Sequence, residues 1–568
     1  MCGILLHYCP NNNYLNDELI EFPEGTEFGD TTCTNESSIF NKIIPYIAAR
    51  GPNYSSLRAV KAYRISWFSS VLSLRQPFTK QSINVDDRYF LQFNGELYNK
   101  EISQGDNDSL YIASMLQNLK EGMGVIDVIK SLEGESNWQA KFVLFGHPDN
   151  ELYVASVTGS AGSFQDCIGG AIYEYDTRTK LLNSNRRSHL PYEVTSEIDL
   201  NFTSLSEVSK SLYAVLRDSV KKRVESIHPR HIENSPIAVL FSGGIDCSVI
   251  VALICEVLQE NDYKCGKPVI ELLNVSFENP RTGLFPSDTP DRKLSINSAK
   301  TLQNLYPDID IKLVEVDVPY DEYLKCKPFV INLMYPKQTE MDLSIAIAFF
   351  FASRGRGFLT SLNGERTPYQ RHGIVLFSGL GADELYGGYH KFANKPPHEL
   401  VEELTRQINN IYDRNLNRDD KVIAHNGVEV RYPFLDEYVI KLSTAEIPIN
   451  FKVNKLILRK VASQYLKLDG ISSEPKRAIQ FGAKSAKMTK DGNKHGTDLL
   501  KENRNFHKFK YSIYFAACSK LNAKSRVNPL NIHSFVMSLR VSSELLSSTM
   551  NISILFSFLD KGCILLEI

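Results

Sequence analysis

The stretch that most constrains this chain is Ile237-Ala-Val-Leu-Phe-Ser-Gly-Gly-Ile-Asp-Cys-Ser-Val-Ile-Val-Ala-Leu253. It opens with an apolar run of the length of a buried parallel strand and closes with an apolar segment that reads as a helix. Between them lies Ser242-Gly243-Gly244-Ile245-Asp246, where two glycines let the backbone approach a ligand with no Cβ in the way. The helix that follows aims its unpaired N–H groups at the same spot, which suits phosphate oxygens. Asp246 would repel bare phosphate, so it makes chemical sense as a Mg²⁺ ligand beside a polyphosphate. The Gly-Lys-Ser/Thr ending of a Walker loop is missing. The competing reading is an ordinary glycine turn after a strand.

A second segment repeats the plan. Ile374 to Phe377 reads as a strand, followed by Ser378-Gly379-Leu380-Gly381-Ala382-Asp383 and a helix. Asp383 can supply a second carboxylate to the same Mg²⁺. Between the two motifs, strands (Glu271–Phe277, Ile311–Asp317) alternate with helices (Asp291–Leu305, Ile345–Ala352), which predicts a doubly wound parallel sheet with ligands at its carboxyl ends. The Ser-Gly-Gly-X-Asp pattern resembles the pyrophosphate loop of the N-type ATP pyrophosphatases, which split ATP between its α and β phosphates.

With 568 residues there is room for two or three domains. A hydrophobic content of 43%, a charged content of 23% and a net charge of -2 make a soluble globular protein. They offer no electrostatic case for nucleic acid or membrane as the main partner. The ten cysteines show no CxxC or paired spacing, so neither a zinc site nor a disulfide framework is predicted. No apolar run reaches membrane-spanning length and no secretory leader is visible, so a cytoplasmic protein is expected.

At the N-terminus, Cys2 leads straight into the apolar strand Gly3-Ile4-Leu5-Leu6. If Met1 is removed, Cys2 carries its own α-amino group, whose pKa of roughly 7.7–8.0 lets it take the thiol proton. A small apolar residue starting a strand is the alternative. Further on come Arg50-Gly51-Pro52, Phe93-Asn94-Gly95-Glu96-Leu97-Tyr98-Asn99, and Gly105-Asp-Asn107-Asp108-Ser109, the last capping a helix near Leu110. Together with Met-Cys-Gly-Ile these resemble the N-terminal-nucleophile glutaminase domain of class II glutamine amidotransferases. The resemblance implies Cys2 as nucleophile and Asn94 and Gly95 as oxyanion hole. It also implies Arg50 on the glutamine carboxylate, Asp108 on its α-amino group, and Glu96 lining the site.

Residues Arg186 to Leu200 read as a linker, and Ser204-Leu-Ser-Glu207 as a capping box opening a helix. Adding His425-Asn-Gly-Val-Glu429-Val-Arg431-Tyr-Pro433, Lys455-Leu-Ile-Leu-Arg459 and Pro475-Lys476-Arg477, the chain resembles glutamine-hydrolysing asparagine synthetases over nearly all of residues 1 to 485. The likeness is strongest to their divergent asparagine synthetase domain-containing branch. It implies an α/β plus α+β protein. Residues 1–200 would form an Ntn-type glutaminase sandwich and 201–490 a doubly wound parallel-sheet ATP pyrophosphatase domain. The tail, 491–568, is unassigned and shows no sustained periodicity.

The resemblance places ATP against Leu240, Ser242, Gly243, Gly244, Asp246, Cys247, Ser248, Val275, Ser378, Gly379 and Lys476, with Mg²⁺ on Asp246 and Asp383. Its substrates would be glutamine and aspartate, or another small carboxylic acid. Ammonia would pass inside the protein, and a homodimer is open to it. The chain departs from the family in several places, among them Cys247 for the usual serine of the first loop. An Arg-Asp-x-x-Gly element and about one β-hairpin are missing after Trp138. Leu380 stands where asparagine synthetases carry glutamate, and leucine can neither accept a proton nor orient ammonia. A ligase for another acid, or a non-catalytic interaction protein, are the rival readings.

Overall fold

The computed structural model describes residues 2–11, 16–28, 36–103, 105–120, 122–132, 143–146, 151–167, 169, 171–186, 191–228, 236–260, 267–361, 363–388, 395–488, 495–500, 553–557 and 562–567. The N-terminal part contributes β1 (Gly3–Tyr8), β2 (Glu18–Phe22), β3 (Tyr54–Val60), β4 (Ile65–Val71), β5 (Ile83–Val85), β6 (Tyr89–Asn94), β7 (Val143–Gly146), β8 (Leu152–Ala155), β9 (Gln165–Asp166), β10 (Ala171–Asp176) and β11 (Leu181–Arg186).

Alternation along these strands sets the layers. β1 is buried throughout because its two faces meet different partners. Leu5 shares a core with Phe40, Ile43 and Ile47 of the helix Ser38–Ala48. Ile4, Leu6 and Tyr8 face the other way, toward a second sheet. From that sheet Phe90 meets Trp67 at 5.1 Å between ring centroids, and Gln92 Nε2 donates to Ser69 Oγ at 2.6 Å. Leu91 and Phe93 point oppositely and share their core with the helices Asp108–Gln117 and Val125–Ser131. The result is a helix–sheet–sheet–helix stack. Its first sheet has the order β2-β3-β4-β1-β8-β7-β9.

The tail completes the second sheet. β19 (Ser553–Ser557) and β20 (Gly562–Glu567) form an antiparallel hairpin lodged between β10 and β6, giving the order β11-β10-β19-β20-β6-β5. Gly562 pairs with Asn94 and Ser557 with Ile172. The tail, left unassigned from the sequence, thus contains strands, and a hairpin occupies the interior of a sheet for which one was missing. Its runs are too short for alternation to stand out, and their partners lie at the other end of the chain. Around the departure after Trp138, residues 133–142 and 147–150 lie outside the described residues, and Val143–Gly146 between them form β7.

The C-terminal part holds β12 (Ile237–Leu240), β13 (Val269–Phe277), β14 (Asp310–Val318), β15 (Arg356–Thr360), β16 (Arg366–Gln370), β17 (Val375–Phe377) and β18 (Glu429–Arg431), ordered β16-β15-β14-β13-β12-β17-β18. β14 through β18 by way of β13, β12 and β17 are parallel, while the β15–β16 hairpin adds an antiparallel edge. The expected strands and helices all form, within two residues at most ends, except that the helix expected at Ile345–Ala352 runs over Glu340–Arg354. β13 and β17 flank β12 on opposite sides, so the strand order reverses there and opens a crevice at the carboxyl ends of β12 and β17.

Two local expectations change. The segment after Pro191 is irregular but docked: Thr195 N donates to Thr444 O at 2.8 Å, and Val194 packs with Leu400, Leu404 and Ile449. Ser204 forms no capping box; its N–H and Oγ both donate to Asp199, a charged acceptor that outcompetes the reciprocal cap. Among the described residues, no helix is long and apolar enough to cross a membrane.

Candidate functional site

One cavity opens beside β1 and β6. Cys2, Arg75, Gly95, Glu96, Asp108 and Glu429 line it. Cys2 is placed by the start of β1, and burial pushes its thiol pKa up. Gln81 is clamped to β6, donating to Phe93 O and accepting from Phe93 N at 2.8 Å each, which brings its Nε2 to 4.0 Å from Cys2 Sγ. Asn107 caps the helix beginning at Asp108, accepting from Ser109 N at 3.0 Å, and this sets the Asp108 carboxylate at the cavity.

Arg50 is not part of this cavity. Its guanidinium is fully buried and pairs with Asp420 at 3.0 Å, while its Nε donates to Cys2 O at 3.2 Å. The arginine that lines the cavity is Arg75, bonded to Glu96 and to Leu97 O and lying 3.9 Å from Asp108. Arg50 is thus held by Asp420 and by the Cys2 backbone, and Arg75 is the arginine found at the cavity. Asn94 ends β6 next to Gly95 but does not line the cavity; its Oδ1 is buried without a hydrogen-bond partner. Glu96 is pushed up to about 7 by burial, against the pull of Arg75 and Arg431. Burial also raises Asp108, with Arg75 opposing.

The second site forms where β12 and β17 end. Ala238 pairs with Leu376 and Val239 with Phe377, so the loops carrying Ser242 and Ser378 emerge side by side. Gly243 has φ +77, and a Cβ there would meet Ser295 N at 2.6 Å. Ser298 Oγ donates to Gly243 O at 2.7 Å, tying the loop to the helix Pro290–Leu305. Cys247 Sγ donates to Gly244 O at 3.2 Å, and Ser248 is buried behind it. Leu240 and Val275 are buried near the ends of adjacent strands. At Gly379 a Cβ would fall 2.8 Å from Asp246 Cβ, so glycine lets the two loops close on each other.

Asp246 and Asp383 converge on shared cations. Lys455 Nζ lies 2.6 Å from both Asp246 oxygens and 2.5 Å from Asp383 Oδ1. Lys476 Nζ bonds Asp383 Oδ2 and lies 3.6 Å from Asp246. Burial works against the Asp383 charge, but Lys455 and Lys476 hold its carboxyl well below the usual range. Lys455 is the residue that motif reading missed as a ligand. The signal was its place in the Lys455–Arg459 block; its backbone adopts the left-handed conformation at φ 60. Leu380 is half-buried against the core and presents no proton acceptor.

A strand joins the two sites. Glu429, on β18, lines the Cys2 cavity; Arg431, two residues on, binds Glu429 at 2.9 Å and approaches Glu96 at 3.6 Å. Ser378 N donates to Arg431 O at 3.0 Å.

Residues 395–528 match the asparagine synthase family model. An asparagine synthetase domain-containing protein of Saccharomyces cerevisiae is 94% identical over 523 residues, covering 89% of this chain and 100% of the relative. The chain belongs to the family of asparagine synthetase domain-containing proteins. Asparagine synthetase domain-containing protein 1 of Gallus gallus is 33% identical over 51% of the chain and 52% of its own length. The glutamine-hydrolysing asparagine synthetase of Gallus gallus is 25% identical over 50% of the chain and 45% of its own. The chain thus spans the whole of the yeast family member and about half of each chicken protein.

Proposed function

We propose that this family member is a glutamine- and ATP-dependent ligase that adenylates a carboxylate and amidates it. The observation that carries the reading is the convergence of Asp246 and Asp383, from the ends of neighbouring parallel strands, on Lys455. A point where one cation bridges two carboxylates fits another, so these acids would hold Mg²⁺. When bound, Mg²⁺ supplies neutralisation of charge on departing pyrophosphate. Lys476 and Lys455 add fixed positive charge where phosphate oxygens collect. The Ser242–Gly244 turn and the helix N-terminus behind it donate backbone N–H groups to the same oxygens.

The helix–sheet–sheet–helix stack with Cys2 at the start of a buried strand supports a glutaminase in residues 1–200, with 201–490 as the adenylating unit. Cys2 would attack the glutamine amide, its proton taken by the α-amino group freed on loss of Met1. The Gly95 backbone would stabilise the oxyanion. Asp108 would hold the substrate ammonium, and Arg75, rather than Arg50, its carboxylate. Aspartate is the simplest acceptor. Leu380 favours a second reading, in which the same machinery adenylates another acid.

The test is ATP–pyrophosphate exchange with aspartate and a panel of small acids. Exchange should depend on one acid and fall at least about 100-fold in Asp246→Asn and Asp383→Asn, a loss of about 2.7 kcal/mol in transition-state stabilisation. Exchange undiminished in both variants would defeat the proposal.

A further inference from the structure

Outside both sites, the far end of β1 carries a cluster that neither uses. His7 lies near the end of β1 and Cys9 just beyond it, where the Cys9 N–H still donates to Arg64 O at 3.0 Å, so the two side chains, two residues apart, leave the same side. On β8, Tyr8 pairs with Leu152 and His7 with Tyr153, which carries the register on to Glu151 opposite Cys9. One donor atom each from His7, Cys9 and Glu151 therefore lie within 4.8 Å of one another.

The histidine is poised rather than satisfied. It is 2% exposed, yet its Nε2 has no hydrogen-bond partner; the nearest carboxylate oxygen, Glu151 Oε2, is 3.6 Å away. Its Nδ1 lies 3.0 Å from Glu36 Oε2, and Glu36 in turn accepts from Ser66 Oγ at 2.6 Å. An N–H given to Glu36 leaves the Nε2 lone pair aimed toward Cys9 and Glu151. Tyr153 stacks on the ring at 4.2 Å and 12° and donates its hydroxyl to Glu151 at 3.1 Å, fixing both partners. Cys9 Sγ meets Glu151 Oε1 at 3.2 Å.

We propose that His7 Nε2, Cys9 Sγ and the Glu151 carboxylate bind a divalent transition metal of the zinc type, with Glu36 as the outer carboxylate that orients His7. Mixed nitrogen, sulfur and oxygen donors suit zinc, whose ligand bonds of about 2.0–2.3 Å set tetrahedral donors roughly 3.3–3.8 Å apart. The present spread needs a contraction of about 1 Å to reach that. On binding, the Cys9 thiol proton passes to solvent, and thiolate plus carboxylate balance the metal charge. Cys9 and Glu151 are half-buried, which leaves the fourth position to water or an outside ligand. A histidine bonded to a carboxylate on its far nitrogen is the arrangement that tunes zinc-bound imidazoles.

The rival is a metal-free ion pair, in which an imidazolium sits between Glu36 and Glu151. Burial opposes that charge, but Cys9, Glu151 and Glu36 push the His7 pKa up to about 10. Full-length protein equilibrated with Zn²⁺ and then dialysed separates the two. Elemental analysis should find one zinc per chain. The Co²⁺ form should show a thiolate-to-cobalt charge-transfer band that Cys9→Ser abolishes. Glu36→Gln, which keeps every ligand, should weaken zinc binding about 10–100-fold without loss of secondary structure. Wild-type protein that retains no zinc, or a cobalt spectrum unchanged by Cys9→Ser, would overturn the assignment.

Discussion

Breaking the Arg50–Asp420 pair would leave a carboxylate in the interior with no counter-charge, at a cost of about 3–5 kcal/mol. Arg75 differs because it reaches the cavity while bonded to Glu96. Both Arg50→Ala and Arg75→Ala should lower Tm, because each strips a buried carboxylate of its partner, but only Arg75→Ala should also raise KM for glutamine; equal effects on KM would refute the distinction. Both arginines are plain in the sequence, but their burial is not, since Asp420 lies far along the chain from Arg50. Asp291 gives a titration at the same scale. Burial pushes it up to about 7, against Arg477, Lys476 and Lys484. A raised carboxyl binds its proton in the folded state first, so the stability it confers is complete below about pH 4 and is lost as pH rises to about 7. The slope is at most about 1.4 kcal/mol per pH unit for one group. Chemical denaturation across that window should show the decline in wild type and a flatter profile in Asp291→Asn.

At the scale of elements, the parallel sheet was readable because β12 and β17 are unbroken apolar runs, β13 and β14 are rich in Val, Ile and Leu, and helix signals separate them. Two glycine-rich turns then mark the crevice, since backbone approach is needed there and nowhere cheaper residues would do. The β15–β16 edge was not readable because its strands, Arg-Gly-Phe-Leu-Thr and Arg-Thr-Pro-Tyr-Gln, are polar and largely exposed. The place of the β19–β20 hairpin was not, because pairing with β10 and β6 far along the chain leaves no local trace. The hairpin makes its own prediction. Leu565 pairs with Leu91 in the middle of the second sheet, with strands on both sides of β20. Proline there removes a ladder N–H and leaves its acceptor carbonyl unpaired, a cost of about 1–3 kcal/mol. Leu565→Pro should speed amide exchange along β6, read by hydrogen-exchange mass spectrometry, while the parallel sheet keeps its protection. Unchanged protection on β6 would show that the hairpin contributes no stability to that sheet.

Across the whole molecule, β18 is a strand whose residues touch both sites: Glu429 at the Cys2 cavity and Arg431 at the Ser378 loop. A rigid parallel strand fixes the spacing of the two sites but carries no chemistry between them, so ammonia supplied from outside should bypass the first. Cys2→Ala should accordingly abolish glutamine-dependent amide formation while leaving ammonia-dependent formation, and pyrophosphate release, near the wild-type rate. The cost of the substitution to folding is small, because Cys2 lies at the open end of β1 and alanine removes only a sulfur. Arg431→Ala should instead damage both reactions, since it frees Glu429 and Glu96 into a buried site and withdraws the side chain that braces the strand holding Ser378. Measuring both nitrogen sources in both variants separates the two effects. If Cys2→Ala loses ammonia-dependent activity as completely as glutamine-dependent activity, the division of labour between the sites falls.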